Sequence, residues 1–148
     1  MAKNNTDAEL IEKIGLLSAA DGSPPILGQI WGLVMLQTEP ISAAEIAEQL
    51  GVSRGSVSTN ARRLEEIGVL VRRGKPGDRQ SYYAMRENPY ATMLQGVGNR
   101  YRAYEAEIKS IAPELSNPTA RKRAKDLAQY YGEVAKALEV LHPKLKKD

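Results

Sequence analysis

The stretch 42–63, SAAEIAEQLGVSRGSVSTNARR, leaves the chain little conformational choice. Ser42 followed three residues on by Glu45 is a capping box, which satisfies two N–H groups that a helix start otherwise leaves unpaired. Ile41 and Ile46 flank that cap at the spacing of a hydrophobic staple. Gly51 follows Leu50, and glycine takes the left-handed conformation that ends a helix without a Cβ clash. Ser53 then caps a second helix, with Val52 and Val57 as its staple. Two short helices joined by a glycine turn within about 20 residues make a helix-turn-helix, the unit that presents its second helix to the DNA major groove.

An ordinary αα-hairpin has the same connectivity, and two features separate the two readings. Ala47 is small where the helices must cross closely. At about 100° per residue, Val57, Ala61 and Leu64 fall on one side of the second helix. Gly55, Thr59, Arg62 and Arg63 fall opposite, with Ser56 and Ser58 on the flanks. A merely solvated face mixes Glu with Lys, whereas this one has no acid before Glu65. It suits phosphates and base edges.

Charge distribution agrees. The net charge is only +3, but from Arg54 to Arg86 eight Arg and Lys stand against three acids. A local basic excess is the electrostatic footprint of a nucleic-acid partner. The chain has no cysteine, which removes disulfides, thiol nucleophiles and Cys-based metal sites. Its single histidine, His142, reads as a helix-end residue beside Pro143, and one histidine builds no His-based metal site. No phosphate-binding glycine loop is found, no cofactor is expected, and no catalytic constellation supports an enzyme. The N-terminus MAKNNTDAEL lacks an apolar signal region, and no apolar run approaches a membrane span, so the expected location is cytoplasmic.

Residues 6–20 read as a helix capped by Thr6 with Glu9, its stripe formed by Leu10, Ile14 and Leu17 with Ile11 beside it. Ser23 and Pro24 restart a helix over 24–38 that is apolar almost all round and therefore buried on several sides. Trp31 lies there between Gly28 and Gly32, suited to core packing or to lining a cavity. After Gly68, VLVRRGKPGDRQSYYAM reads as two strands around a tip of Gly74, Lys75, Pro76, Gly77, Asp78 and Arg79. A basic hairpin directly after a helix-turn-helix is a wing, from which Lys75 and Arg79 reach DNA, with Arg73 nearby. Asp78 is expected to pair with an arginine and shape the wing rather than touch DNA.

Beyond the wing, Tyr90, Leu94, Val97, Tyr101, Tyr104, Ile108 and Ile111 alternate spacings of 4 and 3, a heptad seam. Pro113 limits that helix, and Asn117 with Pro118 starts another, whose seam runs Ala120, Ala124, Leu127, Tyr131, Val134, Leu138, Leu141 and Leu145. The two are expected to pack antiparallel, with second rows (Met93, Ala112, Ala128, Ala135, Val140) left for further partners. The runs at 121–123 and 144–147 read as solvated faces and a fraying basic tail.

The stretch from Ile26 to Met85, with its GQIWGLVML helix, GVSRGSVS turn-and-helix and PGDRQSYY wing, resembles the winged-helix regulators of the MarR superfamily, most closely its GbsR-like branch. The resemblance covers roughly residues 24–86 and implies a homodimer whose outer helices form the interface. It also implies DNA affinity modulated by a small-molecule effector, in the GbsR-like branch of the choline or glycine betaine type. A quaternary ammonium needs an aromatic cage, for which Trp31, Tyr83, Tyr101 and Tyr104 are the candidates, although Tyr101 and Tyr104 lie on the heptad seam, where packing is the better-suited role.

The expected fold is mainly α with a small β-hairpin: an N-terminal dimerisation helix at 1–22, a winged helix-turn-helix domain at 23–88 and an antiparallel helical dimerisation region at 89–148. The expected function is sequence-specific DNA-binding transcriptional regulation by a homodimeric repressor on a double-stranded operator. Ser53, Arg54, Ser56, Ser58, Thr59, Arg62 and Arg63 are assigned to base edges and phosphates, with Gly55 allowing close approach and Lys75 and Arg79 acting from the wing. Two rivals share the fold: a winged-helix protein-interaction module and an operator-independent nucleoid-type DNA binder.

Overall fold

A computed structural model describes residues 4–146, which form two compact units divided at Pro89 and Tyr90. Lys147, the last base of the expected basic tail, lies outside the described residues.

The first unit holds α1 (Asn5–Ala20), α2 (Pro25–Met35), β1 (Ile41–Ser42), α3 (Ala43–Leu50), α4 (Arg54–Glu66), β2 (Leu70–Arg73) and β3 (Tyr82–Met85). The cap of α1 is Asn4, whose side chain accepts from the Thr6 N–H; the expected Thr6 cap lies two residues too late. The helix also turns a different face inward. Ile11, Gly15 and Ser18 are buried, while Leu17, expected on the core stripe, is 65% exposed, as is its neighbour Leu16 at 64%. The reason is the crossing with α2. A Cβ on Gly28 would collide with the Ile14 carbonyl, and one on Gly32 would lie 3.0 Å from the Ile11 Cα. Absent side chains let the two backbones approach, and the small residues go inward. Ser18 closes the corner by donating to the Pro24 carbonyl at 2.9 Å.

The second helix starts at Pro25, not Pro24, and no side chain caps it; Ser23 makes no cap bond. Pro25 at the first position tolerates this because its missing N–H is one that a helix start leaves unpaired anyway. As its all-round apolar composition predicts, α2 is the unit's core, with Leu27, Ile30, Leu33 and Val34 buried. It ends at Met35, short of the expected Thr38.

Both caps of the helix-turn-helix form as expected. Ser42 and Glu45 make the reciprocal box at 3.1 and 3.0 Å, and Gly51 takes φ +67° at the end of α3. The Ser53 hydroxyl accepts from the Ser56 N–H at 3.1 Å, starting α4. Val57, Ala61 and Leu64 are buried beneath α4 together with Ile46 and Ala47 of α3. The sheet has one more strand than the sequence announces. The pair Ile41–Ser42 joins β3 on the side away from β2, giving the antiparallel order β1-β3-β2. Strand β1 is only two residues long and runs straight into a helix cap, so no alternation marks it.

The second unit is a helical hairpin of α5 (Pro89–Ile111) and α6 (Pro118–Leu145), joined through a 3-10 turn at Ala112–Glu114. Asn117 caps α6 by accepting from the Ala120 N–H at 2.8 Å, with Pro118 at the first position, as expected. The antiparallel pairing is tied by Tyr101 against Tyr131 and by a two-pronged bond from Arg102 to Glu139 at 2.8 and 3.1 Å. The inner row of α6 differs from the expected seam. Ala128, Gly132 and Ala135 are buried, and Leu127 and Leu141 are exposed. The Glu105 carboxylate lies where a Cβ on Gly132 would stand, and it bonds Arg102 and Lys109. Small residues again mark the close contact.

Candidate nucleic-acid interface

Helix α4 separates its residues cleanly. Val57, Asn60, Ala61 and Leu64 go inward, whereas Arg54, Gly55, Ser58, Thr59, Arg62 and Arg63 are exposed. Arg54, Arg62 and Arg63 make no ion pair or side-chain hydrogen bond to any described residue. Three guanidiniums on one helix with no partner among the described residues leave their donors open to solvent or to a ligand. Ser53 and Ser56 are partly committed. The first accepts in the cap, and the Ser56 carbonyl accepts from the Asn60 amide at 2.8 Å; both hydroxyl hydrogens stay free to donate. Asn60, which the sequence reading passed over, is buried by this local bond and serves the helix.

Among the described residues nothing requires a glycine at position 55. A Cβ there would meet only the Ser53 Oγ, at 3.9 Å, and its φ is negative. Glycine in a helix is unfavourable relative to alanine, so the open space at this position is a cost to the free protein.

The wing supplies a second set of cations. Lys75, Pro76, Gly77 and Asp78 form a turn closed by the Asp78 N–H to the Lys75 carbonyl at 3.0 Å, with Gly77 at φ +78°. Proline then glycine at a positive φ is the type II arrangement. Arg79 at the tip is exposed and has no partner among the described residues. Lys75 is not equally free: its ammonium sits 4.2 Å from the centre of the Tyr82 ring. Asp78 does not pair with an arginine. It accepts from the Tyr82 hydroxyl at 2.6 Å and from the Gln80 N–H at 2.9 Å, a correction to the expected partner. At the wing's base Arg72 bonds Glu65 at 3.0 Å and lies 5.8 Å from the Tyr83 ring, which holds it for the fold.

The four expected ligand residues divide between the units. Tyr83 is 1% exposed, a core side chain of the sheet. Trp31 is half-buried on α2, and its indole N–H is buried with no partner among the described residues. Tyr101 and Tyr104 do converge, together with Tyr130 and Tyr131. Their centroid distances of 4.9 to 5.9 Å, mostly edge-on or tilted, are those of rings packed on one another, with no cation-sized gap between them. His142 is half-buried beside a cavity of about 180 Å³ between α5 and α6, lined also by Leu94, Gln95, Gly98 and Leu138 and by none of the expected aromatic residues. Among the described residues no helix is long and apolar enough to cross a membrane, and no group of three or more His, Asp or Glu is placed to hold a metal ion.

Residues 24–81 match the MarR family, the span running from the start of α2 into the wing. The chain is 33% identical over 105 residues to the HTH-type transcriptional regulator MmpR5 of Mycobacterium tuberculosis, a match covering 70% of this chain and 61% of that protein. It is 21% identical over 112 residues to the HTH-type transcriptional repressor OpcR of Bacillus subtilis, covering 76% of this chain and 60% of that one. The chain thus spans about three fifths of the length of these relatives. Among solved structures, a transcriptional regulator shares the fold at a TM-score of 0.77 and 20% identity, over 94% of this chain and 97% of that one.

Proposed function

We infer that this chain, whose winged helix is of the MarR family, is a sequence-specific DNA-binding transcriptional regulator that acts as a homodimeric repressor. The observation that carries the reading is the outer face of α4: three exposed arginines unpaired among the described residues, beside hydroxyl residues and a glycine that no described neighbour requires. Helix α4 enters the major groove, where Arg54 reads a base edge and Ser53, Ser56, Ser58, Thr59, Arg62 and Arg63 divide between bases and phosphates. From the wing, Arg79 and Lys75 reach the backbone or the minor groove. The names of the relatives, a transcriptional regulator and a transcriptional repressor, support the same reading.

Dimerisation is supported by large apolar residues that a single chain leaves bare: Leu16 and Leu17 on α1, and Ile111, Leu127, Tyr130 and Leu141 on the helical hairpin. In this proposal residues 1–22 and 89–148 form the dimer interface and residues 23–88 read DNA. Placement in the GbsR-like branch rests on the GQIWGLVML, GVSRGSVS and PGDRQSYY stretches, and with it comes an effector of the choline or glycine betaine type.

Titration of labelled operator duplex over a range of salt tests the two reading elements separately. Arg54→Ala is expected to lose about 1–3 kcal/mol on the preferred sequence and to flatten the preference at one base pair. Arg79→Ala is expected to weaken all sequences alike and to lower the salt slope by about 1. Unchanged binding of Arg54→Ala to every sequence variant removes Arg54 from the reading set. A loss confined to one base pair contradicts the assignment of Arg79.

A further inference from the structure

The tip of the wing is held by a side chain that lies outside it. Tyr82 is the first residue of β3, paired in register with Arg73 of β2 on one side and Ser42 of β1 on the other. Ser42 is also the cap of α3, and the adjoining Ala43 N–H donates to the Ser81 carbonyl at 3.0 Å. The Tyr82 backbone is therefore anchored to the helix-turn-helix. Its hydroxyl reaches out along the hairpin to Asp78 Oδ2 at 2.6 Å, while Asp78 Oδ1 accepts from the Gln80 N–H at 2.9 Å. That second bond spans Arg79, which becomes the middle residue of a loop closed by the Asp78 side chain. The Lys75 ammonium lies over the same Tyr82 ring, so both cations of the tip are referred to one phenol.

We propose that Tyr82 is a positioning residue for DNA binding, holding the wing tip through Asp78 and Lys75 so that Arg79 is presented to DNA in a fixed place relative to α4. The inference rests on the DNA-binding reading and adds to it a residue that need not touch DNA. Ordering a loop before binding removes that entropic cost from the binding step. The Tyr82 hydroxyl and the Gln80 N–H together hold the Asp78 carboxyl below its ordinary range, and Asp78 pushes the Tyr82 hydroxyl above its own, so the bond persists across neutral pH.

Asp78 makes the proposal sharp, because its charge and its geometry predict opposite results. It is the only acid between Glu66 and Glu87, and a carboxylate beside DNA repels phosphate. If charge alone mattered, Asp78→Ala would bind DNA more tightly. If Asp78 works by holding the tip, Asp78→Ala binds more weakly, and Asp78→Asn, which keeps the hydrogen-bonding shape without the charge, restores affinity.

The test compares wild type, Tyr82→Phe, Asp78→Ala, Asp78→Asn and the Tyr82→Phe/Asp78→Ala double variant. Tyr82→Phe keeps the ring under Lys75 and removes only the hydroxyl. It is expected to weaken binding to all duplexes by roughly tenfold, to lower the salt slope and to leave the melting temperature in place. The double variant should be no weaker than Asp78→Ala alone, since the two changes break one link. Limited trypsin digestion of the free protein adds a readout that needs no DNA: cleavage after Arg79, relative to cleavage after Arg73, should accelerate in Tyr82→Phe. Wild-type affinity and salt slope in Tyr82→Phe overturn the proposal, as does tighter binding by Asp78→Ala. Should wild type bind no duplex at all, the functional reading fails, and an unchanged cleavage ratio would then show separately that Tyr82 does not order the tip.

Discussion

Gly28→Ala is expected to destabilise the first unit by about 1–3 kcal/mol, and by more if α1 detaches. The added methyl would collide with the Ile14 carbonyl and crowd the Ser18 side chain, and a helix backbone cannot rotate aside as a flexible side chain can. The chain's single tryptophan, Trp31, lies on α2 three residues from the substitution, so its fluorescence follows this unit during urea unfolding. A lower midpoint with the slope unchanged is the predicted result. An unmoved midpoint would mean that α1 and α2 do not cross at Gly28.

Gly55→Ala is expected to act in the opposite direction on stability and to damage binding instead. Nothing but the Ser53 Oγ lies within 4 Å of the new methyl, so the free protein should gain up to about 1 kcal/mol from the better helix former. If Gly55 gives α4 its close approach to DNA, as proposed above, the methyl intrudes there, and a loss of about tenfold to a hundredfold follows from overpacking of about 1–3 kcal/mol. Thermal melting and duplex titration on the same preparation check both signs. A variant that is more stable and binds normally would remove Gly55 from the interface.

These two glycines mark where sequence reasoning succeeds and where it stops. The helix-turn-helix was legible because its signals are local: a capping box, a serine cap and a left-handed glycine act within four residues, and all three form where expected. The exposed arginine face of α4 followed from helical period alone. The contact faces of α1 and α6 did not. Reading for large apolar residues put Leu17, Leu127 and Leu141 inside, but the helices meet through Gly15, Gly28, Gly32 and Ala128, Gly132, Ala135, where backbones come close and large side chains are excluded. A stripe of small residues carries little hydrophobic signal, although Gly28 and Gly32, four apart on one helix, were a visible hint of a crossing.

The wing was legible as a hairpin and illegible as a network. Its turn chemistry is local, whereas the partner of Asp78 depends on the strand register that points the Tyr82 hydroxyl back along the hairpin. Arginine was the electrostatically obvious partner and a neutral phenol the actual one. Strand β1 escaped for a similar reason, because its two residues pair with β3, about forty positions away in the chain.

The central claim is that α4 and the wing read a DNA sequence, and selection of bound duplexes from a random pool at physiological salt tests it most directly. The account predicts enrichment of one motif with approximate two-fold symmetry, its half-sites about one helical turn apart, bound at least about a thousandfold more tightly than random duplex. Recovery of an unenriched pool would make the chain a general DNA binder, and no recovery even at low salt would make the arginine face of α4 a surface for something other than DNA.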